Sequence, residues 1–479
     1  MTIGRTAIPH ALALALLPAV PARAEPDPAV AAALARAGPG TRIGLVVADE
    51  AGREIVAVRP DERFVPASNT KMFTTAAAFA GLRTAEPDDA GATVRLEGRD
   101  VVLAGHGDAR LSSAGDCRTD CLAELARAVA ARVRVVRDVV GDDSAFPDER
   151  WPAGMSWNNM AGRYGTAISA LTLDDNVVTL EVRPGAAGSA PTIVGDGYYR
   201  IANRAATAAG TGKTSLNAAR TPGSDLLVVG GTIPVGAMPE TLTVGVDDPA
   251  HRAAWRLAAL LRAAGVRVTG RVAARHRPVG QGDDPESRGA APPARPPAPT
   301  VLARLVPPPL AEDLRVTNKV SQNLHADLLL RRVGAVGGTG SVADGRAAVR
   351  AMLDRAGVER WAYDFADGSG MSSYNRVTPR ATIRFLRWAG AQPWGGAWRA
   401  TLPVGGVDGT LARRFANTPL AGKLFAKTGT LNATNALSGY LLAASGRTLT
   451  FSAFANDVPG DGSATAAIDA ALVAIAAAN

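Results

Sequence analysis

The sequence has little with which to do metal, thiol or imidazole chemistry. Its 479 residues include two cysteines and five histidines. Cys117 and Cys121 lie four positions apart with no companion Cys or His cluster, which disfavours metal binding and leaves a small-loop disulfide in an oxidising compartment. His10 falls near the start, the other four histidines are widely spaced, and no G-x-S-x-G elbow occurs. A Ser-His-Asp hydrolase is therefore disfavoured. Lysine is equally scarce: it stands only at 71, 213, 319, 423 and 427, and arginine carries the rest of the positive charge. Those arginines are scattered, with no basic run and no interleaved aromatics, so a formal charge of +8 does not point to nucleic acid. After the first residues no apolar run reaches membrane-spanning length.

What is present fits a globular chain of two or three domains, with 47% hydrophobic and 20% charged residues. The start reads as an export signal: Arg5, an apolar stretch from Ala11 to Leu17, and Ala22-Arg23-Ala24 as a small-x-small cleavage site. Removal of residues 1–24 takes away Arg5 and Arg23 and lowers the charge to about +6. The mature protein is then expected outside the cytoplasm, periplasmic or wall-associated, with no transmembrane segment.

Along the chain, residues 28–37 read as a short helix, and 42–49 and 54–59 as strands joined by a turn. From about Ala90 the texture changes to short strands and glycine turns, with a helix over 122–132. Residues 166–173 and 177–183 read as a hairpin around Asp174-Asp175-Asn176, and 225–229 and 241–246 as further strands. Asp248 caps a helix that has Pro249 at its first position and Gly265 as its stop. Residues 275–309, rich in Pro, Gly, Ala and Arg, read as a linker. Helices over 326–333 and 341–357 follow, then strands over 437–444 and 448–455 and a last helix over 464–478. No internal repeat occurs. The texture suggests one α/β domain in two pieces, 25–89 and 299–479, around a β-rich insertion over 90–298.

Three short motifs carry chemistry. In FVPASNTKMFTT, Ser68 and Lys71 are three apart at a helix start, so hydroxyl and amine share one face. An amine held neutral can take the hydroxyl proton, and a lysine can be neutral where an arginine cannot. Ser321-Gln322-Asn323 follows in RVTNKVSQNLHAD, and Lys427-Thr428-Gly429-Thr430 in LFAKTGTLNAT. Each alone has a plain alternative: a capped helix, a helix cap, a solvated strand end or a bulge. The order S-x-x-K, S-x-N, K-T-G makes the joint signal strong. By contrast, Gly212-Lys213-Thr214 lacks the glycine a phosphate loop needs at 207 and reads as a surface loop. His325 and Asp327, two apart on a helix, do not face each other and read as packing or surface residues rather than metal ligands.

The motifs resemble those of penicillin-binding proteins and serine β-lactamases. Further phrases narrow the resemblance to the three-domain D-Ala-D-Ala carboxypeptidase/endopeptidases: Gly105-His106-Gly107-Asp108, Val140 through Phe146, Asn176 through Pro184-Gly185, Asp367-Gly368-Ser369-Gly370 with Asn375, and Leu402-Pro403 through Leu411. The resemblance implies an α/β (α+β) fold in which helices pack on an antiparallel sheet, split by a two-domain β-rich insertion. It implies acyl transfer through Ser68, with Lys71 as base, Ser321 and Lys427 relaying a proton to the leaving amine, and Asn323 holding Lys71 and the substrate amide. The backbone N–H groups of Ser68 and Thr430 would form the oxyanion hole. Lys427, Thr428 and Thr430 would hold the terminal carboxylate, with Gly429 leaving room for substrate. The implied partners are peptidoglycan stem peptides ending in D-Ala-D-Ala, with β-lactams as covalent inhibitors, and neither cofactor nor metal is expected. Gln322 departs from the aspartate common at that place. A serine β-lactamase and an idle wall-binding scaffold are the alternatives; the large insertion speaks against the first and the complete motifs against the second.

Overall fold

The computed structural model describes residues 27–84, 86–289 and 299–479. The proposed signal segment, 1–24, lies outside them. The apolar run of β1 (Arg42–Ala48) is buried from Gly44 onward, which a strand achieves only when both faces are covered. It sits inside a five-stranded antiparallel sheet with β2 (Glu54–Val58), β11 (Leu424–Leu431), β12 (Thr434–Leu442) and β13 (Thr448–Asn456), in the order β11-β12-β13-β1-β2. Successive side chains point to opposite faces. Leu45 and Val47 therefore pack with Val30 of α1 (Pro28–Ala35) and with Leu472 and Ile475 of α9 (Thr465–Ala478), while Val46 and Ala48 pack against Ile383 of α8 (Pro379–Gly390). Burying a side chain such as Phe451 or Phe454 contributes about 2 kcal/mol.

Between β2 and β11 the chain builds other sheets. A mixed five-stranded one has the order β9 (Val272–Arg277), β5 (Val139–Pro147), β4 (Asp100–Ala104), β3 (Thr93–Glu97), β10 (Ala303–Arg304). Helices α3 (Leu122–Ala130) and α4 (Pro249–Ala263) cover it, and Asp248 accepts the His251 N–H as the α4 cap. Two smaller sheets follow, one of them pairing β6 (Val177–Arg183) with β8 (Glu240–Gly245), the other centred on β7 (Leu226–Pro234). Cys117 and Cys121 are joined as a disulfide. The expected mixture of helices on an antiparallel sheet is what the chain adopts.

Two local expectations fail. Residues 166–173 form no hairpin with β6, because the Asn176 side chain takes the Leu173 N–H and donates to the Ala167 carbonyl, and β6 pairs with β8 instead. The stretch 275–309 is not linker throughout. Arg275 and Arg277 lie in β9 and pair with Glu97 and Asp283, Pro285–Arg288 is a helical turn, and β10 pairs with β3. Residues 290–298 of that stretch lie outside the described residues.

Candidate active site

Helix α2 (Thr70–Gly81) is buried from Thr70 to Ala78, on every side, so each polar group on it must find a partner inside the protein. Thr74 Oγ1 donates to the Gly368 carbonyl at 2.8 Å and Thr75 Oγ1 to the Lys71 carbonyl at 2.8 Å. A 3-10 turn, Ala67–Asn69, precedes the helix, and Ala67 has φ +48°. Ser68 thus sits in a tight turn just before α2 rather than inside its first turn.

The three-residue spacing brings Lys71 Nζ to 3.0 Å from Ser68 Oγ. Nζ also donates to Asn323 Oδ1 at 2.6 Å and to the Ser369 carbonyl at 2.6 Å. These two oxygens can only accept. If the amine is neutral it spends both its hydrogens on them, and its lone pair is left for the Ser68 hydroxyl. Burial pushes Lys71 down to about 8, against the pull of the Asp327 and Asp367 carboxylates.

Asn323 opens α6 (Asn323–Gly337), three residues earlier than the pattern suggested. Its Nδ2 donates to the Tyr164 carbonyl at 2.8 Å, so one amide joins α2, α6 and the segment around Tyr164. Ser321, at φ +62°, ends the turn before this helix, and Lys427 Nζ donates to its Oγ at 2.9 Å and to the Thr428 carbonyl at 3.0 Å. Lys427 is fully buried. Burial, and then the charge of Lys71, push it well below an ordinary lysine. Its own carbonyl accepts Asn69 Nδ2 at 2.8 Å, which fastens β11 to the Ser68 turn.

β11 is an outer strand. Residues 403–405 bond its first half, through Gly405 N–H to Leu424 and Ala426 N–H to Pro403. Thr430 is exposed, and Thr428 Oγ1 shares a 2.7 Å hydrogen bond with Thr410 Oγ1. At Gly429 an added Cβ would stand 2.6 Å from the Pro66 carbonyl oxygen and 3.2 Å from Ala67 Cβ. The glycine is required by the close approach of strand and turn, a protein contact that sequence spacing does not reveal.

Two residues that the sequence marks only for packing or the surface also stand here. His325 and Asp327 are both buried. His325 lies between Asp313 Oδ1, on α5 (Leu310–Lys319), at 2.5 Å and Asp175 Oδ1 at 2.9 Å. Burial pulls its imidazole down, yet the two carboxylates outweigh burial and hold it at about 10. Gln322 Nε2 donates to the same Asp175 at 3.1 Å. Asp327 and Asp367 flank the turn that presents the Ser369 carbonyl. Lys213 lies in an exposed loop away from these contacts.

The model of the D-Ala-D-Ala carboxypeptidase 3 (S13) family matches residues 28–479. The chain belongs to this family. Its class is that of a serine-type D-Ala-D-Ala carboxypeptidase. A D-alanyl-D-alanine carboxypeptidase of Actinomadura sp. is 34% identical over 430 residues, covering 84% of this chain and 75% of that protein. Penicillin-sensitive carboxypeptidase A of Dictyostelium discoideum is 24% identical over 412 residues, covering 80% of this chain and 74% of that one. The crystal structure of penicillin binding protein 4 from Haemophilus influenzae superposes with a TM-score of 0.76 at 21% identity, covering 92% of this chain and 97% of that one. This likeness establishes that the family member described here has the penicillin-binding protein 4 fold.

Proposed function

We propose that the protein is exported and cleaves the bond between the two terminal D-alanines of peptidoglycan stem peptides through an acyl-enzyme on Ser68. The observation that carries this reading is the set of three partners around Lys71 Nζ, of which only the Ser68 hydroxyl can donate a proton. In the first step Ser68 Oγ attacks the carbonyl carbon, its proton passes to Lys71, and the oxygen takes the negative charge. The backbone N–H groups of Ser68 and Thr430 receive that oxyanion, each contributing roughly 3 kcal/mol. Collapse expels the terminal D-alanine, whose nitrogen takes the proton that Lys71 received, relayed by way of Ser321 and Lys427, which already share a hydrogen bond, so that Lys71 is neutral again. Water, deprotonated by the same base, then releases the acyl group and restores Ser68.

Lys427 is the group for the substrate's terminal carboxylate. Its bonds go to a hydroxyl and a carbonyl, so an arriving carboxylate supplies the counter-charge that a buried ammonium wants. Thr428 and Thr430 add hydroxyls beside it. The same acyl transfer at a D-Ala cross-link is an endopeptidase reaction and belongs to the proposal. No helix among the described residues is long and apolar enough to cross a membrane. The division into 25–89, 90–298 and 299–479 is also a proposal. It is supported by the pairing of β1 with β13, and β10 moves the second boundary a few residues later.

The test is the intact mass of the protein after incubation with benzylpenicillin, beside Ser68→Ala. A lasting adduct on the wild type alone supports the reading. Rapid consumption of penicillin without adduct would make the protein a β-lactamase. Neither adduct nor turnover in folded protein would make it a scaffold. Pentapeptide and cross-linked muropeptide substrates separate the carboxypeptidase and endopeptidase activities.

A further inference from the structure

Two buried carboxylates act on the Lys71 amine without bonding to it. Asp327 lies one helical turn beyond Asn323 on α6 and is 7% exposed, while Asp367, in the segment after α7 (Val342–Arg355), is 2% exposed. They divide one turn between them. Asp327 Oδ1 accepts the Gly368 N–H at 2.7 Å, and Asp367 Oδ1 accepts the Gly370 N–H at 2.9 Å. Between those anchors lies Ser369, whose carbonyl accepts from Lys71 Nζ. The turn is pressed against the nucleophile's own: at Gly370, φ +89°, an added Cβ would stand 1.9 Å from the Ala67 carbonyl oxygen.

The two acids are not equivalent. Asp367 also accepts the Ser372 N–H and Asn375 Nδ2, each at 2.7 Å. Asp327 has fewer donors, and burial, then the charge of Asp367, push it up to about 7. The titratable groups around the amine are thus Asp327 on α6, Asp367 on the turn and Lys427 on β11, with Arg331 one turn beyond Asp327. The carboxylates favour the ammonium form of Lys71, whereas burial opposes it.

We propose that Asp327 is a positioning residue for Lys71: its negative charge tunes how readily the amine gives up its proton, and its grip on Gly368 aims the Ser369 carbonyl at Nζ. The inference rests on the reading of Lys71 as the base. Asp327→Asn keeps an oxygen for the Gly368 N–H and removes the charge. The amine then sheds its proton at lower pH, so acylation begins at lower pH.

The experiment is the pH dependence of the second-order rate of benzylpenicillin acylation, followed by mass, for wild type, Asp327→Asn and Asp327→Glu. The acidic limb is expected to move down by about one pH unit in Asp327→Asn. It is expected to stay in place in Asp327→Glu, which retains the charge. A limb at the wild-type position in Asp327→Asn, or a loss uniform in pH, overturns the proposal. Should that variant not fold, Asp327→Ser keeps an uncharged acceptor and carries the same expectation and the same refutation. Absence of any Ser68 adduct on the wild type would instead sink the acyl-transfer reading, so the two failures are distinguishable.

Discussion

Asn323 Oδ1 accepts a hydrogen bond from Lys71 Nζ at 2.6 Å across 252 positions of sequence. The contact fixes which way the amine's hydrogens point, and therefore where its lone pair lies. Asn323→Ala is expected to slow benzylpenicillin acylation roughly 30-fold, the equivalent of about 2 kcal/mol for a bond to a charged or ionisable group. Asn323→Asp sets a carboxylate against the amine and favours the ammonium, moving the acidic limb up by about one pH unit or more. Acylation rates between pH 6 and 10 check both.

In the wild type that limb reports Lys71, which burial lowers to about 8. Acylation is expected to rise with pH until the amine is neutral and then to level off. The same shift bears on stability. Between pH 8 and the ordinary lysine value of 10.5 the unfolded chain holds a proton that the folded chain has released, so Lys71 makes stability rise with pH across that window. Urea unfolding of wild type and Lys71→Met at several pH values measures this contribution, which should vanish in the variant.

His325 acts in the opposite sense. Its folded value, about 10, lies above its ordinary 6.5, because Asp313 and Asp175 outweigh the effect of burial. The stabilisation is fully present below pH 6.5 and is lost as pH rises through about 10. His325→Gln leaves Asp313 buried without a cation and should cost about 3 kcal/mol at pH 6. The difference from wild type in urea unfolding should shrink toward pH 10; a difference independent of pH would show that the imidazole is uncharged in the folded protein.

Gly429→Ala brings a Cβ to 2.6 Å from the Pro66 carbonyl, where only backbone can yield. The overpacking is expected to cost about 2 kcal/mol of stability. Because β11 and the Ser68 turn separate together, acylation should fall about 100-fold. Melting temperature and acylation rate on one preparation test the pairing of the two losses.

What the sequence allowed to be read follows from the range of each interaction. Ser68 and Lys71 are three apart on one local geometry, so spacing alone brings them together. The same rule kept His325 and Asp327 apart from each other, yet it could not supply their partners, which come from Asp313 on the preceding helix and from Asp175 and Gly368 farther along the chain. Alternation over 166–173 resembled a strand because periodicity does not register that Asn176 satisfies that backbone with a side chain. β9 was hidden for the contrary reason: its stability comes from arginine–carboxylate pairs and a partner strand, and it has no apolar alternation to detect. The requirement for Gly429 lay in a backbone-to-backbone approach, which composition cannot express.

The pairing of β1 with β13 sets Arg42 opposite Asn456. A chain made from its N-terminus therefore carries β1, β2 and the Ser68 turn for most of its synthesis with the adjoining place in the sheet empty. Strands β11 to β13 arrive only after residue 424. Ser68 and Lys71 are thus among the earliest parts to be made, and Lys427 among the last. The larger intervening sheets find all their strands within residues 93–304, which are made before β11. A protein cut short before Thr448 would retain every one of the three motifs and still lack the strand that joins its two halves.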